Sequence, residues 1–160
     1  MDGAGHAGSF EREVKLRLDD PVRLRARLRE LGAERVEGPA REHNVLFDTG
    51  DGRLRASGSV LRLRRYAGRW ILTFKGPARY RGDVKEREVW RLAQARVFLD
   101  RTALGWFVEI EGDGPVPEAT VRWLGLDPAA AVRGSYLSLW EAHRRERPDL
   151  GLPPDMLLPP

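Results

Sequence analysis

The chain predicts an α+β domain whose antiparallel sheet curls into a barrel with a charged lumen. Three observations lead there. Short segments alternate charged and apolar residues at the two-residue period of a strand, as in Glu11-Arg12-Glu13-Val14-Lys15 and Val60-Leu61-Arg62-Leu63-Arg64. The charged faces recur on several segments and carry both signs, which a single solvated sheet face would not require. Turn signals then separate most segments: Thr49-Gly50-Asp51-Gly52, Ala67-Gly68, Gly76-Pro77 and Arg81-Gly82-Asp83.

The elements follow in order. In the first strand Phe10, Val14, Leu16 and Leu18 share one side with Arg12, while Glu11, Glu13, Lys15 and Arg17 share the other. Asp20-Pro21 is an N-cap followed by proline at the first helical position. Leu24, Leu28 and Leu31 recur at helical spacing, and Gly32 stands where a C-terminal cap belongs. That leucine stripe suits the apolar face of a sheet. Strands are expected over 44–48, 60–66, 70–75, 84–92, 96–100 and 106–111, with the tight Ala67-Gly68 link making a hairpin of its neighbours. Helices are expected over 117–126 and 132–147, the second carrying Tyr136, Leu139, Trp140 and His143. A proline-rich tail from Pro148 is expected to run extended over the surface. The resulting organisation is a flexible N-terminus over 1–9, a domain over 10–147 and a tail over 148–160.

Composition narrows the chemistry. A chain of 160 residues suits one domain with a real core. It has no cysteine, so disulfides and thiolate metal sites are excluded. His6, His43 and His143 have no metal-ligand spacing, so any metal should be bound by oxygen, as magnesium, manganese or calcium are. The net charge of +4 suits an anionic ligand, nucleic acid and phosphorylated small molecules being alike at this level. Arg23, Arg25, Arg27 and Arg29 read as the wet flank of a helix, without the interleaved aromatics of a nucleic-acid stripe. Met1 to Ser9 lacks an apolar h-region and no apolar run is long enough to span a bilayer, so the expected location is cytoplasmic, with no membrane partner.

The polar faces supply the candidate site. Glu11 and Glu13 can hold a divalent metal, with Lys15 beyond them for an anion. Arg62 and Arg64 oppose Leu61 and Leu63. Ile71, Thr73 and Lys75 oppose Trp70, Leu72 and Phe74, and Glu109 and Glu111 oppose Val108 and Ile110. Burying such charges is costly unless they pair or meet ions. A bound metal–polyphosphate accounts for the set: carboxylates hold the metal, the metal bridges phosphate oxygens, and arginine or lysine neutralises the rest.

Six pieces in order resemble CYTH domains, the triphosphate tunnel metalloenzymes. They are Glu11-x-Glu13-x-Lys15, Val60-Leu61-Arg62-Leu63-Arg64, Thr73-Phe74-Lys75-Gly76-Pro77, Leu99-Asp100, Phe107-Val108-Glu109-Ile110-Glu111 and Ser135-Tyr136-Leu137. The resemblance spans Phe10 to about Arg147 and implies an eight-stranded tunnel. By that resemblance Glu11, Glu13, Glu109 and Glu111 bind one or two Mg²⁺ or Mn²⁺ ions. Lys15, Arg62, Arg64 and Lys75 hold the triphosphate, with Arg87 a further candidate. Glu11, Glu13, Glu109 and Asp100 form the catalytic set, Asp100 orienting metal, water or substrate. The implied activity is triphosphate hydrolysis. Cyclisation of ATP to cyclic AMP is the alternative, since both need the same electrostatic cradle.

Two departures stand out. Between the strand at Lys85 to Arg91 and the one ending at Asp100, only Leu92-Ala93-Gln94-Ala95 intervenes, where such domains usually carry a further helix and a strand with a Lys-x-Arg pair. The barrel is therefore expected to be a strand or two short of eight and to lack those basic ligands. In Lys85-Glu86-Arg87-Glu88, a one-residue slip decides which side chains enter the lumen. A shortened tunnel also admits a third reading, a polyphosphate-binding module without turnover, and a second copy of the chain could cover the opening as a homodimer.

Overall fold

A computed structural model describes residues 11–75 and 83–158. Seven strands form the frame: β1 (Glu11–Leu18), β2 (Glu34–Phe47), β3 (Val60–Tyr66), β4 (Arg69–Lys75), β5 (Asp83–Leu92), β6 (Ala95–Thr102) and β7 (Gly105–Asp113). The helices are α1 (Pro21–Glu30), the short α2 (Arg53–Ala56), α3 (Val116–Trp123) and α4 (Tyr136–Glu146). One sheet runs β1-β7-β6-β5-β2-β3-β4, and every neighbouring pair is antiparallel. Among the described residues it does not close; β1 and β4 are its edges.

Local chemistry sets the boundaries. Asp20 caps α1 by accepting from the Arg23 amide, and Pro21 occupies the first helical position. Ala67 and Gly68, at φ 45° and 76°, make the tight turn between β3 and β4. Both are left-handed, the geometry that matches strand twist in a two-residue hairpin. Asp48 accepts from the backbone amides of Thr49 and Leu54, the turn-forming role its setting suggests. Gly76-Pro77 and Arg81-Gly82 lie outside the described residues.

The two sheet faces are buried differently. Leu24 and Leu28 of α1 and Val121 of α3 pack with Leu16, Trp90, Val97, Leu99, Val108 and Ile110 on the outer face. On the inner face Tyr136, Leu137 and Trp140 of α4 pack with Phe107 and Met156. The helix thus fills one end of the concave side and leaves the other end open to polar groups.

Three expectations are corrected. β2 starts at Glu34, ten residues earlier than expected, because register shifts between Arg35 and Glu37 and between Glu37 and Ala40 accommodate Gly38-Pro39 within the strand. The last helix starts at Tyr136 rather than at 132, since Ser135 caps it and the preceding segment bridges Ala131 to Leu16. The tail does not simply lie over the surface: Met156 is fully buried against α4, and Trp140 Nε1 donates to the Pro153 carbonyl at 3.1 Å. Burying one thioether and saturating one indole N–H fixes a proline-rich stretch that composition alone reads as loose.

Candidate active site

The concave face encloses a cavity of about 350 Å³. Strand alternation supplies its walls. β1 and β7 contribute Glu13, Lys15, Glu109 and Glu111; β2 contributes Glu42 and Asn44; β3 and β4 contribute Arg62, Arg64 and Thr73; β5 contributes Lys85 and Arg87. The entry to α4, from Gly134 to Leu137, closes one end.

The acidic wall is set by register. Glu13 stands opposite Glu111 and Lys15 opposite Glu109 across the β1–β7 ladder, so four charged side chains share one face. The Lys15 ammonium lies 3.0 Å from Glu109 and 3.2 Å from Glu13, and it also donates to the Gly134 carbonyl at 3.0 Å. Burial alone would lower the Lys15 pKa, but Glu109 and Glu13 raise it above the ordinary lysine value.

Beneath the cavity Asp100, with no exposed surface, anchors a second layer. Arg87 donates to both its oxygens, at 2.7 and 2.6 Å, in a bidentate fork and also pairs with Glu109. Lys85 approaches Asp100 at 3.3 Å and the Tyr136 hydroxyl donates to it at 2.9 Å. Burial pushes against the ionised carboxyl of Asp100, yet Lys85 and Arg87 hold its pKa well below the usual range. Glu42 behaves alike. It is buried, but Lys85, Arg87 and Arg64 lower its pKa, and Asn44 donates to it at 2.9 Å.

Expected residues are thus placed as follows. Glu13, Lys15, Arg62, Arg64, Arg87, Glu109 and Glu111 come together around the cavity. Asp100 lies under it, holding Arg87, Lys85 and Tyr136 rather than lining it. The side chains of Glu11 and Lys75 lie outside the described part, although both backbones are paired, to Asp113 and Val60. In β5 the register directs Lys85 and Arg87 inward, whereas Glu88 turns outward to Arg25 and the Trp90 indole. As expected, no further helix or strand stands between β5 and β6, so the sheet is short of eight strands; β5 presents Lys85 and Arg87 to the lumen, and among the described residues the opening falls between β4 and β1.

Lys85, Glu42 and Asn44 are site residues that the motifs did not single out, and Tyr136 stood in the Ser135-Tyr136-Leu137 piece without a role. One signal was available. The chain has 25 arginines but only three lysines, Lys15, Lys75 and Lys85, and both lysines with described side chains line the cavity.

The donor set suits a hard divalent cation. It consists of oxygen ligands alone, and Glu13 and Glu109 already converge on one cationic centre, the Lys15 ammonium. Among the described residues no three carboxylates or histidines form a ready-made metal cluster. No described helix is long and apolar enough to cross a membrane.

An open antiparallel sheet around a cavity lined by facing carboxylates and cations defines a tunnel-type, barrel-like domain. The family model of the CYTH domain matches residues 9–84. The fold is similar to that of a candidate adenylate cyclase from Vibrio parahaemolyticus, with a TM-score of 0.70 at 19% identity, covering 84% of this chain and 99% of that one. It is also similar to PH1819 from Pyrococcus horikoshii, with a TM-score of 0.66 at 23% identity, covering 84% and 98%. HpAC1 from Hippeastrum, described as a candidate adenylyl cyclase with a dominant triphosphatase activity, matches with a TM-score of 0.53 at 16% identity, covering 82% and 95%. No curated protein matches the chain in sequence. The chain is thus similar to CYTH domains over residues 9–84 in sequence, and to these solved structures in fold.

Proposed function

We propose that the protein is a metal-dependent hydrolase of triphosphate, taking inorganic triphosphate or the triphosphate group of a nucleotide or other organic molecule. The observation that carries this reading is the division of the cavity wall: carboxylates line it from β1 and β7 and arginines from β3, with Lys15 among the carboxylates and Lys85 and Arg87 on β5. A polyphosphate is a linear polyanion, and such a wall suits it: the carboxylates would hold a divalent metal that supplies charge neutralisation, and the cations would meet the remaining phosphate charge.

Glu13, Glu109 and Glu111, with Glu11, would hold Mg²⁺ or Mn²⁺, whose contribution is charge neutralisation and polarisation of a water or phosphoryl oxygen. Arg62 and Arg64 orient the phosphate chain by charge-assisted hydrogen bonds, and Lys75 is assigned the same task. Lys15 and Lys85 leave their carboxylate partners in part to meet phosphate oxygens. Asp100 fixes the Arg87 guanidinium so that its charge is already in place when the reaction begins, which is electrostatic preorganisation. The similarity to proteins described as adenylate cyclases makes ATP cyclisation the second reading. A binder without turnover is the third, favoured by the sheet being open between β4 and β1.

The test is to incubate the protein with Mg²⁺ or Mn²⁺ and either tripolyphosphate or ATP, then resolve the products by anion exchange. Release of phosphate that is lost in Glu111→Gln is the expected result. Cyclic AMP with pyrophosphate would select the cyclase, and binding without products the module.

A further inference from the structure

Tyr136 is the only aromatic side chain among the described residues lining the cavity. It opens α4, is 4% exposed, and its phenol donates to Asp100 Oδ2 at 2.9 Å. The Phe107 ring meets it edge-on, with centroids 5.0 Å apart and planes at 71°, which fixes its tilt. Two ammonium groups share its ring. Lys15 Nζ and Lys85 Nζ each lie 4.6 Å from the ring centroid, although their strands are separated in the sheet by β7 and β6.

Two cations on one ring repel each other, so the arrangement needs compensation. The ring quadrupole attracts both, and Glu109, Glu13 and Asp100 supply carboxylate partners around them. From these contacts we infer that Tyr136 is a positioning residue: its ring holds the Lys15 and Lys85 ammoniums at a fixed separation on the cavity floor, where they meet a polyphosphate. The inference rests on the triphosphate reading for the identity of the ligand, but not for the ring geometry.

The chemistry explains why these positions are lysines in a chain where arginine supplies 25 of 28 basic residues. A compact ammonium can turn from a carboxylate to a phosphate oxygen while keeping its distance to the ring. A planar guanidinium carries a rigid fork that commits it to one partner geometry, as Arg87 on Asp100 shows. Asp100 in turn ties the phenol to the same ion network, so helix α4 and strands β1, β5 and β6 are registered against one another at this ring.

The experiment uses the whole chain labelled with ¹³Cε-lysine, which gives only three resonances, alongside calorimetric titration with tripolyphosphate in metal-free buffer. In the wild type, the Lys15 and Lys85 signals are expected to be shifted upfield by the ring current. Tyr136→Phe keeps both shifts and weakens tripolyphosphate binding by about threefold, whereas Tyr136→Leu abolishes the shifts and weakens it by about tenfold or more. Trifluorophenylalanine at position 136 preserves ring shape while removing the attractive quadrupole, so it keeps the test decisive if the leucine variant does not fold; it too should bind several-fold more weakly than Phe. Unshifted lysine signals in the wild type would overturn the inference, as would affinities in the leucine or fluorinated variant equal to that of Phe. Failure of the wild type to bind tripolyphosphate both in metal-free buffer and with Mg²⁺ present overturns the ligand reading instead, and the lysine shifts still decide whether the ring holds the two ammoniums.

Discussion

Strands β1, β5, β6 and β7 carry α1 and α3 against their outer face, whereas the outer face of β4 leaves Trp70, Leu72 and Phe74 more than half exposed. The covered half contains nearly every fully buried residue, including Leu28, Val97, Leu99, Val108 and Ile110. It also holds the buried ion network of Arg87, Asp100, Glu109 and Lys85. The uncovered half supplies Arg62, Arg64 and Thr73, on strands buried from one side only. Fixed charges that need exact partners thus stand on the rigid half, and Arg62 and Arg64, the cations proposed to meet phosphate, stand on the half with more freedom to adjust.

The comparison breaks most readily at Asp100. Replacing it with asparagine removes a buried anion and strands Arg87 and Lys85 without their charge partner. The expected loss is about 3–5 kcal/mol of stability, read from urea unfolding. An unchanged midpoint would mean that the network does not hold the covered half together.

Next in size is a matched pair of leucine truncations. Leu28→Ala should cost about 2–5 kcal/mol, since Leu28 has no exposed surface and closes the outer core. Leu72→Ala, on the uncovered half, should stay within about 0.5 kcal/mol. Equal losses would show that the outer face of β4 is covered in solution.

Acid should act first on the buried carboxylates. Asp100 and Glu42 both have folded pKa values below their ordinary ones, so their contribution is present above about pH 4, the unfolded carboxylate range, and is lost as pH falls further. Lys15 is shifted the opposite way, up, so its contribution is full below the ordinary lysine value of about 10.4 and fades only above it. Unfolding midpoints should therefore be flat from about pH 5 to 9 and fall steeply below about pH 4, less steeply in Asp100→Asn. The smallest effect on stability is expected from Arg64→Ala. Its melting temperature should barely move while the KM for tripolyphosphate rises about tenfold.

Much of this was legible in the sequence. Period-two alternation set out the inner faces of β1, β3 and β7, because a strand has only two faces and Glu13, Arg62, Arg64, Glu109 and Glu111 fell on one of them. The capped start of α1 was equally plain in Asp20-Pro21. What failed did so for identifiable reasons. The first half of β2 was hidden because bulges around Gly38-Pro39 interrupt the alternation. In β5 charges occupy both faces, Arg87 inside and Glu88 outside, so alternation could not choose a register; pairing with β2 and β6 does. Tyr136 entered only on a helix and in Ser135-Tyr136-Leu137, without a role, because nothing local announces that a helix start reaches two lysines 121 and 51 positions away.

The central claim is that the carboxylates of β1 and β7 hold a metal while the arginines of β3 hold phosphate. Binding of Mn²⁺, followed by electron paramagnetic resonance, tests it most directly in Glu13→Gln/Glu111→Gln and in Arg62→Ala/Arg64→Ala. The acidic-wall variant should lose Mn²⁺ binding, and the arginine variant should keep it while losing tripolyphosphate. Equal Mn²⁺ binding by the wild type and the acidic-wall variant would contradict the division of the site.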